Sequence, residues 1–296
     1  DFPLASGDGV LDLGWGEGRH VINVYLHGDV TAIGVDLSHR DLLTSRERFL
    51  PFAQKDADKQ FYLQQADATR LPFPDHSFDK IICSEVLEHI ENYQGVLAEI
   101  ERVLKPGGLL AITVPRAWPE KICWWLSHEY HQVEGGHIRI FDGKQLRREI
   151  EQSNFIFYKR HWAHALHSPF WWMKCLWWKT QDQNRLIKAY HRLLVWDLME
   201  KPWLTQTLEK CLNPLLGKSV VMYFKKNNPP LTLPATRPAS RGGIQTPPSF
   251  EGGEGARLGE GTHAGSSNTV PDSVGVARSN NSSPLLKGEA GRGLKI

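Results

Sequence analysis

The chain has four cysteines in 296 residues, Cys83, Cys123, Cys175 and Cys211, and no two form a C-x-x-C pair. That scarcity argues against a disulfide frame or a cysteine-closed zinc site; the thiols read as reduced, in a cytoplasmic protein. An excess of charge is lacking too: 35 Lys and Arg against 33 Asp and Glu leave a formal +2. So even a balance gives no electrostatic ground for a nucleic-acid groove or a strongly anionic partner, and the core-forming part lacks basic clusters interleaved with aromatics. Long hydrophobic runs are missing. The longest aromatic-apolar stretch, Pro169–Trp178, is interrupted by Lys174 and is too short to span a bilayer. No secretory signal opens the sequence, which starts at Asp1.

What remains is ordinary for a globular protein, 41% hydrophobic and 23% charged, and long enough for one sizeable core. The composition changes after about Asn227. Tryptophan disappears there, and Pro-Pro, Gly-Gly and Ser-Ser-Asn runs take over. Such a segment buries too little apolar surface to offset its ordering entropy, so 227–296 is expected to be a disordered low-complexity tail. Its closing stretch, Ser282–Gly293, has the look of translated repetitive DNA. One domain, 1–226, is expected before it.

Within that domain apolar runs alternate with helical spacing. Strands are predicted at Val10–Leu13, Thr31–Leu37, Phe61–Gln65, Phe78–Cys83, Leu109–Pro115, Phe155–Lys159 and Ser219–Phe224. Helices are predicted at Gly18–His27, Arg40–Lys55, Tyr93–Leu104 and Asp142–Ser153. The rhythm predicts an α/β fold: a Rossmann-like, seven-stranded, mostly parallel sheet with helices on both faces. Two insertions interrupt it, at 116–140 and, between strands six and seven, at 161–217. The second reads as helical and is rich in Trp and His.

The turn after the first strand carries Gly14, Gly16 and Gly18. Glycines let a backbone approach a ligand closely and take positive φ. Asp36 ends the second strand about 20 residues on, where a carboxylate can accept from both hydroxyls of a ribose. A dinucleotide fingerprint, G-x-G-x-x-G, would need glycine at position 19, where Arg19 stands. The G-x-G-x-G form suits a ligand with no pyrophosphate to seat on the helix N-terminus.

Further segments join this turn: Gln65–Asp79 with Asp67 and Ala68, Ile82–Ile90 with Glu85 and His89, Arg102–Gly108, and His137–Phe141. From about Val10 to Phe157 the chain resembles class I S-adenosylmethionine (SAM)-dependent methyltransferases, in the type-11 group that includes ubiquinone- and menaquinone-biosynthesis enzymes. The resemblance implies SAM as cofactor and a set of roles. Asp12 orients the loop and the methionine ammonium, and Gly14, Gly16 and Gly18 line the methionine and ribose. Asp36 holds the ribose hydroxyls and Leu37 packs on adenine. Asp67 accepts from the adenine amino group and the Ala68 N–H donates to a ring nitrogen. Ser84 and Glu85 stand beside the sulfonium and the acceptor. Position 15 departs from the group: Trp15 replaces a small residue, and an indole there either obstructs the pocket or packs away from it.

A nucleic-acid acceptor is not expected. The Pro-Pro-aromatic tetrapeptide of amino-methylating enzymes of this fold is replaced by Ser84, Glu85, Val86 and Leu87, and no proline precedes Cys83. The insertions are the expected acceptor cap, because ligands of open α/β folds bind at the carboxyl edge of the sheet. Their tryptophans read either as cap core or as an aromatic pocket for a small apolar or ring-bearing, possibly lipid-like, acceptor. His137 and His131 are the first candidates for a general base, with His89 behind them and Glu85 beside the acceptor. Zinc could sit on His128, His131 and His137, or on His161, His164 and His167, but methyl transfer from SAM needs no metal and none is expected. The Trp run Pro169–Lys179 reads as a lid or as a membrane-surface contact.

The expected activity is therefore methyl transfer from SAM to a small acceptor. The alternatives are a SAM-binding protein impaired by Trp15 and, more weakly, a nicotinamide oxidoreductase. For the tail, deleting residues 230–296 leaves the melting temperature within about one degree, because no buried area is lost; a calorimetric scan of the truncated chain checks this.

Overall fold

The computed structural model describes residues 2–16, 19–27, 29–49, 61–133 and 135–228. The expected tail falls outside the described residues apart from Asn227 and Asn228, as do Gly18 and the end of the expected helix Arg40–Lys55.

Seven strands form one sheet: β1 (Gly9–Leu13), β2 (Thr31–Asp36), β3 (Phe61–Gln65), β4 (Phe78–Ser84), β5 (Leu104–Pro115), β6 (Phe155–Ala163) and β7 (Ser219–Lys226). Their order is β3-β2-β1-β4-β5-β7-β6. The first five are parallel; β7 runs antiparallel to both β5 and β6. Strands covered on both faces read as near-continuous apolar runs. Val10, Leu11 and Leu13 of β1, Ile81, Ile82 and Cys83 of β4, and Val220 to Phe224 of β7 are accordingly all buried.

Helices α1 (Arg19–His27), α2 (His39–Phe49), α3 (Tyr93–Val103) and α5 (Gly143–Gln152) cover the sheet, and the predicted alternation of strand and helix is present. Side-chain caps set two of these starts. The Asn92 side chain accepts from the Gly95 N–H, and Asp142 accepts from the N–H groups of Lys144 and Gln145. Val96, Leu97, Ile100 and Val103 then bury one stripe of α3.

Two predicted strand boundaries move by four or more residues. The fifth strand begins at Leu104, five residues early, because Lys105–Gly108 forms a register shift against β4 instead of a stop; Gly107 supplies its positive φ of 76°. The sixth strand continues to Ala163, drawing His161 and Trp162 out of the insertion and into pairing with Val221 and Val220. The first insertion opens directly as helix α4 (Ala117–Leu126). The second folds into α6 (His167–Leu176), α7 (Arg185–Glu200) and α8 (Trp203–Leu216).

Trp15 lies in the core. It is 5% exposed, its ring stacks on Phe61 at 5.7 Å, and it joins Val24, Tyr25, Val30, Ala32 and Leu42 in one apolar cluster. Gly34 of β2 makes the room: a Cβ built there would stand 2.1 Å from Trp15 Cε3. An indole that fills this space is not in the turn's ligand-facing side. Trp15→Cys therefore removes core volume, costing about 3 kcal/mol, and lowers the melting temperature by roughly 6–12 °C while SAM affinity stays unchanged in calorimetry. A gain in affinity at constant stability would overturn this placement.

Candidate functional site

The sheet order reverses at β1, whose neighbours β2 and β4 lead to opposite edges, and the carboxyl end of such a pair is where open α/β folds leave a crevice. The glycine turn sits there. Gly14 has φ +70° and its N–H donates to the Val35 carbonyl at 2.8 Å; any Cβ on it would collide with Val86 Cγ2 at 2.3 Å. Gly16 has φ +51° with open space where a Cβ would be.

Asp36 ties this turn to the next. Its Oδ2 accepts from the Gly16 N–H and its Oδ1 from the Ser38 N–H, both at 2.9 Å. The Gly16 carbonyl is held from the other side by the Ser45 hydroxyl at 2.8 Å. Each carboxylate oxygen has lone-pair capacity for a second donor, so the bridge leaves Asp36 able to accept from ligand hydroxyls. Asp12 is buried beneath the turn, and Leu37 beyond Asp36 is 69% exposed.

Asp67 stands exposed at the end of β3, where its Oδ1 accepts from the Thr69 N–H and hydroxyl, both at 2.8 Å. Those bonds lower its pKa and keep it an acceptor at neutral pH. Ala68 packs against the main core. The predicted residues Asp12, Gly14, Gly16, Asp36, Leu37, Asp67, Ala68 and Ser84 thus come to the carboxyl ends of β1 to β4. Gly18 lies outside the described residues.

Across the crevice a polar cluster forms where the segments after β4 and β5 meet the start of β7. Glu85 takes the left-handed backbone at φ +55°, and its Oε2 lies 3.9 Å from Lys218 Nζ. Glu88 and His89 sit in the short turn Leu87–His89. His137 is held by Glu120 of α4: its Nδ1 is 2.6 Å from Glu120 Oε1. The Trp124 indole N–H donates to the same oxygen at 3.2 Å. The loop bearing His137 is anchored to the turn through the Ile138 N–H, 3.0 Å from the Glu88 carbonyl, and through His89 Nδ1, 3.1 Å from the Gly136 carbonyl. The rings of His89 and His137 are 5.0 Å apart. Lys218 reaches over Trp171 of α6, with Nζ 5.5 Å from the ring centroid.

These neighbours set the charges. Burial pushes the Glu120 carboxyl up, but the hydrogen bond and charge of His137 outweigh it, and Glu120 is held below the usual range. Glu88 goes the other way. It is fully buried, neither carboxyl oxygen has a hydrogen-bond partner among the described residues, and desolvation followed by the Glu85 charge pushes its pKa well up. His89 is lowered, chiefly by desolvation. His131 ends a neighbouring turn, but its side chain is outside the described residues.

Of the residues proposed from sequence, Glu85, His89 and His137 belong to this cluster. Glu88, Glu120 and Lys218 were missed. The one available signal was Glu120, an acid in the otherwise apolar stretch Trp118–Leu126. The tryptophans divide. Trp124, Trp171, Trp172 and Trp178 pack around Cys123, Tyr130 and Cys175 as cap core, which accounts for most of the Pro169–Lys179 run as lid. Trp125 is 82% exposed. A cavity of about 290 Å³ bounded by Arg116, Trp118, Arg147, Arg160 and Trp162 contains none of the crevice residues. The crevice is therefore assigned from the strand ends and not from cavity size.

Residues 11–112 match the family model described as a methyltransferase domain. The chain is 36% identical over 111 residues to 27-O-demethylrifamycin SV methyltransferase of Amycolatopsis mediterranei, covering 38% of this chain and 40% of that protein. It is 38% identical over 109 residues to demethylmenaquinone methyltransferase of Tropheryma whipplei, covering 37% and 42%. The match thus spans about two fifths of the length of these relatives. Among solved structures, the [4+2]-cyclase SpnF superposes with a TM-score of 0.51 at 18% identity, over 76% of this chain and 78% of that one.

The buried Glu88 gives a pH test. The folded state keeps a proton that the unfolded chain releases above about pH 4.3, so folding binds protons and this contribution weakens stability as pH rises. Glu88→Gln removes it. The variant gains in urea midpoint relative to the parent as pH rises above about 4.3, and parallel pH profiles would sink the assignment.

Proposed function

We propose, for a chain whose residues 11–112 match a methyltransferase-domain model, that the protein transfers a methyl group from SAM to a small, apolar or ring-bearing acceptor in the cytoplasm. The observation that carries this reading is the Asp36 bridge. It holds Gly16 open at a positive φ beside a carboxylate with capacity to spare, with the exposed Leu37 next in the chain. That donor-and-acceptor set fits a nucleoside with two free hydroxyls and no pyrophosphate.

SAM supplies a methyl group already activated on a sulfonium, so the chain's own work is alignment and proton management. Asp36 takes the ribose hydroxyls, Asp67 and the Ala68 N–H the adenine edge, and Asp12, Gly14, Gly16 and Gly18 the methionine end. Ser84 and Glu85 face the reacting centre from the end of β4. His137 removes the acceptor's proton at Nε2, oriented by Glu120, and Lys218 offsets the negative charge that Glu85 and Glu120 bring. Trp171 and the cap helices roof the cluster and exclude water.

For the acceptor class the cap supplies aromatic surface over the polar cluster, with Trp171 beside Lys218, and this suits a ring-bearing or partly apolar acceptor. The similar proteins are named for methylation of a rifamycin and a menaquinone precursor, which accords with it. Contact with a membrane surface would be peripheral: no described helix is long and apolar enough to cross a bilayer. The packing of Trp15 into the core favours catalysis over a binding-only protein.

Calorimetry with SAM, S-adenosylhomocysteine and NAD tests the reading, and binding of NAD without SAM would overturn it. Asp36→Ala removes two bonds to a charged acceptor and weakens SAM binding at least about tenfold. An unchanged dissociation constant would remove Asp36 from the site.

A further inference from the structure

The end of β6, the start of α6 and the middle of α8 converge on three side chains that the methyl-transfer reading does not use. They are His164, His167 and Glu209, each half-buried. One imidazole nitrogen from each histidine and one Glu209 oxygen all lie within 4.8 Å of one another. We propose that these three residues form a divalent-metal site of the zinc class, which fastens the helical cap to the sheet.

Two features build the site. His164 takes the left-handed backbone at φ +64°, and its carbonyl accepts from the His167 N–H at 3.0 Å. That turn brings the two rings to 5.2 Å in an edge-to-face pair. The same turn is pinned to α8 by two further bonds: the Ala165 N–H donates to Asn213 Oδ1 at 3.0 Å, and the Ser168 hydroxyl to the Leu216 carbonyl at 2.6 Å. Positions 209, 213 and 216 share one face of α8, so the contacts that dock the helix also present Glu209 to the histidines.

Two imidazoles and one carboxylate suit zinc, which takes three protein ligands and a water in a tetrahedral shell. Metal–ligand lengths near 2.1 Å put tetrahedral ligand atoms about 3.4 Å apart, so each side chain needs to move by roughly an ångström or less. The local sequence shows only H-x-x-H. The third ligand comes from α8, and His161, whose spacing also suggested a ligand, instead pairs within β6 and stacks on Tyr223.

The test uses the full chain without a histidine tag, stripped with EDTA and then titrated with Zn²⁺ or Co²⁺. One equivalent of zinc per chain by elemental analysis, visible Co²⁺ bands of a tetrahedral site, and a melting temperature raised by several degrees on zinc addition are expected. His164→Asn and Glu209→Gln should each weaken zinc binding at least about tenfold and cancel the thermal shift. His137→Asn should change neither. Absence of stoichiometric metal in the parent chain overturns the proposal, and so does zinc that persists in the His164 and Glu209 variants or vanishes with His137→Asn. If His164→Asn fails to fold, the Co²⁺ spectrum of the parent and the binding of Glu209→Gln decide the matter.

Discussion

The site depends on one carboxylate bridging two chain turns. Asp36 ends β2, yet its oxygens hold Gly16 in the turn after β1 and Ser38 at the entry to α2. Parallel strands end at a common edge with their following turns side by side, and without a bridge those turns would move independently. The bridge fixes the positive φ of Gly16 and leaves carboxylate capacity toward the crevice. Beneath it, Trp15 and Gly34 interlock as large against small, so β1 and β2 are joined at the same place by packing as well.

The second half of the crevice is built differently. No single strand carries Glu85, Glu120, His137 and Lys218; they arrive from segments after β4, after β5 and before β7. Burial makes their charges depend on one another: His137 holds Glu120 below the usual range, while burial and the Glu85 charge push Glu88 well up, with His89 Nε2 4.0 Å from its carboxyl. For the proposed general base, an imidazole held by a carboxylate is the arrangement such chemistry requires. The same fold carries other chemistry, since SpnF, a [4+2]-cyclase, shares its topology. Function is therefore argued from these side chains and not from the sheet.

Local features were legible because they repeat at short range. Strand and helix alternation, the glycine turn, the spacing from Gly14 to Asp36 and the placing of Asp67 follow from periodicity and motif. The start of β5 was not legible, since Pro106, Gly107 and Gly108 read as a stop where the register shift lets the strand continue. Nor was the extension of β6, whose outer residues pair with β7 more than fifty positions later.

By itself the sequence determined the α/β class, the strand succession and the chemistry of the glycine turn, because each rests on contacts between residues near in the chain. Tertiary structure alone decided the direction of Trp15, the pairing of His137 with Glu120, the burial of Glu88 and the approach of Glu209 to His164 and His167. Each of these joins elements distant in sequence. Whether a side chain there is charged, neutral or a ligand follows from what the folded chain packs against it, which no local spacing encodes.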